Sequence, residues 1–355
     1  MADPAPRRIL VVRISALGDI VFATSLLEGL RNAFPEAWIA WLAQPGFAGI
    51  LEGDPRVSEI LRTPPAPIGS FGALRALRRQ LRDLEPFDWV LDAQGLFKSR
   101  LVARMPKAKQ RIGFESKEPG GFFMDRLVEK GGDPADISSE YRHLAQVLTG
   151  VDPGPPRLHP SAAARDRVAA ALQARGLAPG FVALCPFTTR PQKHWFEEYW
   201  GDLAHRLQGA GVGPCAVFGG PADRAAADRI LAGMPPGTVD LVGATKLPDV
   251  PAFLEQAGVV IGVDTGLTHI GIAVRRPVVA LFGSTCPYTR GVESPLRVMY
   301  DALPCAPCKR NPTCGGAFTC MRGLTPERVA RTALELVAVS RNSRSPDEVR
   351  ERPIA

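Results

Sequence analysis

Residues 9–20 read Ile-Leu-Val-Val-Arg-Ile-Ser-Ala-Leu-Gly-Asp-Ile, and the fold class can be inferred outward from them. The run Ile9 to Ile14 is almost entirely apolar, which is typical of a parallel strand buried on both faces of its sheet. After the turn Ser15 to Asp19, apolar residues recur at helical spacing from Ile20 to Phe34, and Pro35 ends the predicted helix. A buried strand that leads directly into a helix is the repeating unit of an α/β protein.

The same alternation of strand and helix continues through both halves of the chain. Trp38 to Leu42 and Trp89 to Asp92 read as further strands of the first half. The second half predicts strands at residues 181–185, 214–218, 259–263 and 278–282 and helices at residues 196–208, 222–232 and 267–274. Open parallel sheets bind their ligands at the carboxyl ends of the strands, so we expect functional side chains in the loops that follow the strands.

A proline-rich segment separates the two halves. Residues 152–160 read Asp-Pro-Gly-Pro-Pro-Arg-Leu-His-Pro, which predicts a stiff connector without helix or strand. The 355 residues suffice for two cores, so we predict Rossmann-like α/β domains at 1–155 and 161–325, then a helix at 326–340 and a disordered tail at 341–355. Neither half contains a G-x-G-x-x-G fingerprint or a P-loop motif, which disfavours a dehydrogenase or a P-loop ATPase.

The formal net charge of +7 favours an anionic partner, such as a nucleic acid, a phosphorylated glycolipid or a nucleotide. Basic residues are grouped along Arg75 to Arg82 and again from Lys98 to Arg111, where they can also form an ordinary solvated helix face. Few aromatic residues accompany them, so a stacking platform for nucleic acid is not expected. Arg13 and Asp19 interrupt the first apolar run, and no run approaches the roughly 20 residues of a membrane span, which predicts a cytoplasmic protein.

The most informative loop of the second half is Val263-Asp264-Thr265-Gly266-Leu267-Thr268-His269, where a buried strand runs into the start of a helix. Free N–H groups and the helix dipole favour a diphosphate at such a position, and Gly266 permits close approach of the backbone. The alternative is an ordinary helix cap by Asp264 or Thr265, with His269 as a satisfied helix residue.

A second loop, residues 187–195, reads Phe-Thr-Thr-Arg-Pro-Gln-Lys-His-Trp. Arg190 and Lys193 can neutralise the charge that grows on a departing diphosphate. The hydroxyl groups of Thr188 and Thr189 can donate to the same oxygens. A solvated basic loop is the alternative interpretation.

Asp19 is the candidate base. It lies at the start of the first helix, where the helix dipole favours an ionised carboxylate. In an inverting glycosyl transfer, such a carboxylate takes the proton from the acceptor hydroxyl while the oxygen attacks the anomeric carbon. Helix capping by Asp19 is the alternative.

These motifs together resemble the bacterial ADP-heptose lipopolysaccharide heptosyltransferases of glycosyltransferase family 9. The resemblance covers most of the chain and adds the loop 92–99, Asp-Ala-Gln-Gly-Leu-Phe-Lys-Ser, which with the Thr-Thr-Arg loop looks most like heptosyltransferase I. That enzyme adds the first heptose to Kdo on lipid A. The resemblance implies a GT-B fold, two Rossmann-like domains facing a central cleft, and an inverting transfer without a catalytic metal. The lack of an Asp-x-Asp motif agrees with this.

Carried over residue by residue, the resemblance makes Asp19 the general base. It implies a donor site for ADP-heptose made of Thr188, Thr189, Lys193, Asp223, Asp264, Thr265, Gly266 and His269. Asp223 stands where the family has an acidic residue facing the nucleotide ribose, although here it is Asp rather than the longer Glu. For a Kdo and lipid A acceptor it implies contacts from Gln94, Lys98 and Arg79, at an anionic inner-membrane surface to which the protein binds peripherally.

Four of the seven cysteines cluster at Cys305, Cys308, Cys314 and Cys320. The Cys-x-x-Cys start matches tetrahedral thiolate ligation, and a cytosolic setting disfavours disulfides, so we predict a structural zinc or iron. Buried free thiols are the alternative. Cysteine runs also occur in part of the wider family, including relatives that hold iron and modify autotransporter proteins. Cys185, Cys215 and Cys286 look like packing residues.

Two other functions remain open at this stage. One is a binding module that senses a nucleotide sugar without chemistry, in which Asp19 would serve no purpose. The other is a glycosyltransferase of the same fold with another donor or another acceptor, such as a protein heptosyltransferase.

Overall fold

The structure is a computed structural model, and it describes residues 4–65, 70–286, 288–290 and 295–342. These residues form two compact units. The first holds the residues up to Ala164 together with the short segment that begins at Tyr288, and the second holds the remainder from Arg165 onwards.

The first unit contains a six-stranded parallel sheet. Its strands lie in the order β3-β2-β1-β4-β5-β6, and every neighbouring pair is parallel. The apolar run predicted as the first strand is buried on both faces, because helices cover both faces. The strands are β1 Arg8–Val12, β2 Trp38–Ala43, β3 Glu59–Arg62, β4 Phe87–Asp92, β5 Ala108–Phe114 and β6 Arg126–Val128.

The helices of the first unit form two layers. Strand order reverses between β1 and β4, so right-handed crossovers place the helix after β1 on one face and the helices after β3 and β4 on the other. The helices are α1 Leu17–Ala33, α2 Pro45–Ala48, α3 Phe71–Arg82, α4 Phe97–Ala103 and α5 Ser139–Thr149, and α6 Ala162–Ala174 spans the boundary between the units. Helix α1 begins earlier than predicted, which puts Asp19 in its first turn.

The second unit repeats this topology with a different sequence. Its sheet has the order β12-β11-β10-β7-β8-β9 and is parallel throughout. The strands are β7 Val182–Cys185, β8 Cys215–Val217, β9 Val239–Asp240, β10 Val259–Val263, β11 Val278–Phe282 and β12 Leu296–Tyr300. The helices are α7 Glu197–Gly209, α8 Arg224–Ala232, α9 Val250–Glu255, α10 Gly266–Ala273, α11 Thr319–Arg322 and α12 Pro326–Asn342.

Both units therefore have the strand order of a Rossmann fold, and the predicted pair of Rossmann-like α/β units is confirmed. The order reverses between β1 and β4 in the first unit and between β7 and β10 in the second. Loops at the carboxyl ends of such strand pairs form the binding crevice of an open α/β sheet.

The ends of the two predicted domains differ in detail from the observed units. The segment at Tyr288 packs on the first unit, where its ring meets Phe22 edge to face at 5.7 Å and the N–H of Thr289 donates to the carbonyl of Ala135. The predicted tail at 341–355 lies outside the described residues beyond the end of α12 at Asn342. Among the described helices, none combines the length and the apolar character that a membrane span requires.

Candidate functional site

The loops after β7 and β10 meet at the point where the strand order of the second sheet reverses. The Thr188 hydroxyl donates to the carbonyl of Asp264 over 3.1 Å. The ammonium of Lys193 lies 2.6 Å from the carboxylate of the same Asp264. The fold thus joins two motifs that lie far apart in the chain, as the sequence predicted for loops at the carboxyl edge.

Asp264 is the centre of this cluster. Its carboxylate is nearly buried and accepts a hydrogen bond from the Thr285 hydroxyl, and His269 Nε2 lies 3.4 Å from its other oxygen. Burial alone raises the pKa of Asp264, but His269 and Lys193 outweigh it and hold that pKa well below its usual range. Asp264 is therefore a fixed anion that orients Lys193 and His269, rather than a direct contact for a phosphate.

Helix α10 presents an open N-terminus beside this cluster. Its N-cap, Thr265, has an extended backbone and makes no side-chain capping hydrogen bond, so the capping interpretation of Thr265 is not supported. The hydroxyl of Thr268 instead donates to the carbonyl of Val263 over 2.7 Å. The first N–H groups of the helix at Gly266 can therefore meet an anion, next to the positive charge of Lys193.

The packing under α10 depends on Gly262. A Cβ atom there would stand 2.2 Å from the hydroxyl oxygen of Thr268 and 2.8 Å from the Cβ of Cys185. Only glycine allows this approach between β10, β7 and the first turn of α10.

The loop 187–195 is held firmly on its inner side. His194 Nε2 lies 2.8 Å from the carbonyl oxygen of Thr188, and the buried amide of Gln192 donates to the carbonyl of Lys309 over 2.8 Å. A short 3-10 turn over Pro191–Lys193 carries the ammonium group to Asp264. Thr189 points outward and is exposed.

Asp223 follows β8, the strand beside β7, and so lies on the same edge of the second sheet. Its carboxylate accepts a hydrogen bond from the N–H of Gly220 over 2.8 Å, which stabilises the 3-10 turn Pro221–Asp223. Asp223 thus caps this turn, and its predicted contact with a ribose stays a prediction.

Asp19 lies in the first turn of α1, at the reversal point of the first sheet. One carboxylate oxygen, Oδ2, accepts from the N–H of Ala16 over 3.2 Å and lies 2.6 Å from the guanidinium of Arg13. Capping by Asp19 therefore occurs, yet its side chain stays 47% exposed and Oδ1 makes no hydrogen bond with the part of the chain that the structure describes. A carboxylate held on one oxygen and open on the other suits a base.

Gln94 and Lys98 belong to the loop after β4, the neighbour of β1. The side-chain oxygen of Gln94 accepts from the N–H of Ile14 over 3.0 Å, which ties this loop to the end of β1. Asp92 is fully buried and accepts from the N–H groups of Gln94 and Gly95, and burial raises its pKa. Lys98 is exposed in the first turn of α4.

Arg79 lies elsewhere in the first unit. It is the ninth residue of α3, so the rise of the helix carries it about 12 Å from the carboxyl edge, where the helix begins. The structure brings Asp19, Gln94 and Lys98 to that edge, and a role for Arg79 in acceptor binding stays a prediction.

Sequence reasoning missed two residues that shape these sites. Arg13 is 7% exposed, and its charge in the middle of an apolar run is the signal that could have revealed it. Thr285 follows β11 next to β10, and only the strand order shows that it reaches Asp264.

The four clustered thiols line one small cavity together with Gln192, Ser284 and Phe318. None of the seven cysteines forms a disulfide within the part of the chain that the structure describes. Across the described residues, however, no three side chains of His, Cys, Asp or Glu converge closely enough to hold a metal ion. Cys185 and Cys215 are packing residues as predicted, and burial raises the pKa of the Cys215 thiol to about 12.

Comparison with known proteins adds an independent result. The model for glycosyltransferase family 9 (heptosyltransferase) matches residues 74–316. Lipopolysaccharide heptosyltransferase 1 of Pseudomonas aeruginosa is 28% identical, covering 94% of this chain and 98% of that protein. A solved glycosyltransferase family 9 structure from Veillonella parvula superposes with a TM-score of 0.83 at 20% identity, covering 94% of this chain and 97% of that one.

A second solved structure is E. coli heptosyltransferase WaaC with ADP-2-deoxy-2-fluoro heptose. It superposes with a TM-score of 0.69 at 25% identity, covering 92% of this chain and 99% of that one. These likenesses extend over almost the whole chain and agree with the fold class expected from the sequence.

Proposed function

The chain belongs to glycosyltransferase family 9, and from that premise we propose that it transfers a heptose from ADP-heptose to the Kdo region of the lipopolysaccharide inner core. The observation that carries this proposal is the anion site of the second unit. There Lys193, fixed by Asp264, lies beside the open N-terminus of α10. Such a site suits the diphosphate of a nucleotide sugar.

The donor binds mainly through the negative charge of its diphosphate. Backbone N–H groups at Gly266 and the ammonium of Lys193 bind the diphosphate, and the hydroxyl of Thr189 adds a donor. The hydroxyl of Thr188 joins them by exchanging its bond to the carbonyl of Asp264 for one to the diphosphate. Asp223 accepts from the ribose hydroxyls with the oxygen that does not cap Gly220. The related WaaC was solved with an ADP-heptose analogue, which supports ADP-heptose as the donor here.

The reaction is a single displacement with inversion. The acceptor oxygen attacks the anomeric carbon while the bond from that carbon to the diphosphate oxygen breaks, and the acceptor proton passes to Asp19. The departing ADP carries the electron pair, and Lys193 with the α10 N-terminus stabilises the growing negative charge. Lys193 and the α10 N-terminus supply the positive charge that a metal ion would otherwise provide to the departing diphosphate. We therefore propose a transfer without a catalytic metal.

The acceptor is a phosphorylated glycolipid, Kdo on lipid A, which Gln94 and Lys98 contact beside Asp19. Helix α3 carries four arginines, among them Arg79, and no acidic residue. Its positive charge attracts the protein to an anionic leaflet. We place the enzyme at the cytoplasmic surface of the inner membrane. If high salt leaves binding to acceptor-containing membranes unchanged, these arginines have another purpose.

One experiment tests donor and acceptor together. The purified protein is incubated with Kdo-lipid A and, in separate reactions, with ADP-heptose, ADP-glucose or GDP-mannose. A mass increase of one heptose on the lipid, from ADP-heptose alone, supports the proposal. An increase only with another donor, or transfer to a protein acceptor but not to the lipid, contradicts it.

The predicted structural zinc or iron is a separate proposal. Four thiols share one cavity. Cys305, Cys308 and Cys314 lie in a segment without helix or strand, and Cys320 lies in the short helix α11. As placed, the thiols fit a metal only in part, because no three of them converge. Elemental analysis of freshly purified protein tests the proposal, and zinc and iron far below one equivalent per chain would exclude it.

A further inference from the structure

Large apolar side chains are exposed on the first unit. Phe71 is 82% exposed and Phe122 is 81% exposed, and Leu96, Phe97 and Leu127 are each exposed by more than a third. Phenylalanine is among the residues most often buried, so two rings this open on one unit indicate a contact surface rather than a chance exposure.

The exposed phenylalanines lie in one layer of the first unit. Helix α3 begins at Phe71 after β3 and helix α4 begins at Phe97 after β4, so both helices start at the carboxyl edge of the sheet. The turn with Phe122 lies between β5 and β6 and leads into β6. Their buried neighbours Leu77, Leu81, Val102 and Met124 all belong to the same hydrophobic core, so the three segments cover the same face.

The chain fixes these side chains in their outward position. The ring of Phe123 packs against two of the exposed rings. Its centre lies 6.1 Å from the ring centre of Phe97 and 4.3 Å from that of Phe122. The start of α4 is fixed by Ser99, whose hydroxyl accepts from the N–H of Leu96 over 3.0 Å. The rings of Phe97 and Phe122 are thus held in place before any partner binds.

A buried arginine anchors the loop that leads to Phe122. Arg100 is 1% exposed, and its guanidinium donates to the carbonyls of Phe114, Glu118 and Pro119 and to the Ser116 hydroxyl, at 2.6–3.0 Å. These four bonds clamp the segment after β5 against α4. A rigid apolar surface binds without a large loss of conformational entropy.

The charges beside these exposed apolar side chains favour an anionic partner. Lys98 follows Phe97 directly, and α3 exposes Arg75, Arg78, Arg79 and Arg82, none of which forms an ion pair with a described residue. Glu115 and Glu118 precede the turn with Phe122 and have Lys117 between them, so the positive charge is concentrated along α3 and the start of α4. Apolar rings next to unpaired arginines match the interface of an anionic bilayer.

We propose that this aromatic edge, made of Phe71, Leu96, Phe97, Phe122 and Leu127, docks on the surface of an anionic lipid bilayer. The rings enter the boundary between headgroups and acyl chains, and the arginines of α3 meet the headgroups. This inference rests on the proposed function in one respect, which is that the acceptor is anchored in such a bilayer. Helices α3 and α4 begin at the sheet edge that carries Asp19 and Gln94, so docking brings the base near the lipid surface.

The test uses the full chain and the double variant Phe71→Ser/Phe122→Ser. Both rings are mostly exposed, so their removal spares the core. The matched control is Val151→Ser, which removes a 67% exposed apolar side chain just after α5, at the opposite edge of the same unit. Binding is measured by co-sedimentation with vesicles of phosphatidylethanolamine and phosphatidylglycerol, at low and at high salt.

We expect the wild type and Val151→Ser to keep a salt-resistant bound fraction. The double variant should have a vesicle partition coefficient at least about tenfold lower, because it lacks the two rings that enter the bilayer in the bound state. Its KM for acceptor embedded in vesicles should rise by at least about tenfold, while transfer to a deacylated, soluble acceptor should change by less than about twofold.

Several results would overturn the proposal. They are equal vesicle binding by the double variant and the wild type, no vesicle binding by the wild type, or loss of transfer to the soluble acceptor as well. Dissociation of a wild-type dimer by the double variant, with vesicle binding unchanged, would assign the edge to a second copy of the chain. If no protein transfers heptose but the difference in vesicle binding persists, the proposed function fails and the docking surface stands.

Discussion

At Asp264, burial and ion pairing shift the pKa of the carboxyl group in opposite directions, and the effect of ion pairing is the larger. The folded-state pKa of Asp264 lies well below the ordinary value of an aspartate, so the ionised form stabilises the fold. This contribution is fully present above the unfolded-state pKa and is lost as pH falls through the folded-state pKa. At neutral pH the cluster with Lys193 and His269 is therefore at full strength.

Replacing Asp264 by Asn tests this balance. Asp264→Asn leaves Lys193 without its buried partner, so we expect the free energy of unfolding at pH 7 to fall by about 3 kcal/mol. The affinity for ADP should fall by at least about tenfold, since Lys193 loses its position. Urea unfolding and calorimetry measure the two effects. The difference in stability should persist down to about pH 5 and shrink only in stronger acid; a difference that disappears between pH 7 and pH 5 contradicts the assigned pairing.

The role of Asp19 is tested by Asp19→Asn, which keeps an oxygen that can cap Ala16 and removes the base. We expect kcat to fall by about 10² to 10⁴. ADP affinity should stay within about twofold, because the diphosphate site is built from the second unit. Single-turnover transfer and calorimetry provide the two measurements. A variant that transfers heptose at the wild-type rate would remove Asp19 from the mechanism, whereas ADP binding without transfer by the wild type would favour the sensor hypothesis.

Arg13 is expected to position the Asp19 carboxylate. It is buried, its guanidinium lies 2.6 Å from Asp19, and it stacks over Tyr141 at 5.9 Å from the ring centre. Arg13→Lys keeps the charge but not the planar geometry, so kcat should fall by roughly tenfold at unchanged ADP affinity. A thermal melt serves as the control for folding. Equal losses of kcat and ADP affinity would point to general damage instead.

The sequence revealed individual chemical groups better than their partners. The sequence singles out Asp19, Lys193 and Asp264 because each residue type suits a role at the end of a strand, and their roles stay predictions. Arg13 and Thr285 were missed because their roles depend on which strands are neighbours, and strand order is a tertiary property that no local pattern contains.

At the scale of elements, the long apolar strands and periodic helices were predicted well. The strands β10 and β11 coincide with the predicted ranges because buried parallel strands are continuous apolar runs. The edge strands β9 and β12 were missed, since each has a neighbour on one side only and is mostly half-exposed, without a clear apolar run.

The close packing of α10 against the sheet at Gly262 predicts the effect of a substitution there. Gly262→Ala adds a methyl group that meets Thr268 and Cys185 well inside contact distance, so α10 must move away from β7. We expect a loss of about 1–3 kcal/mol in the free energy of unfolding and weaker ADP binding. Gly209→Ala in α7 is the control, because nothing lies within 4 Å of its added methyl group. Equal effects of the two substitutions on ADP binding would refute the close fit.

At the scale of the whole molecule, the two units share one topology, yet they divide the chemistry. The proline-rich connector and the alternation of elements were enough to predict two Rossmann-like units. The return of the chain to the first unit at Tyr288 was not predictable, because it depends on the ring contact with Phe22 and on backbone hydrogen bonds to Ala135. Each unit has its own sheet, its own core and its own reversal of strand order.

This division predicts how ADP stabilises the protein against heat. If ADP binds the folded second unit, as we propose, ADP at about 100 times its Kd should add roughly 2.7 kcal/mol to the stability of that unit. Scanning calorimetry measures the shift. Asp19→Asn should retain the full shift, because Asp19 belongs to the first unit. Lys193→Ala should lose most of it, because the ammonium at the diphosphate site is gone. Equal shifts in the two variants would mean that the nucleotide binds away from the Asp264 cluster, and the division of roles between the units would then be wrong.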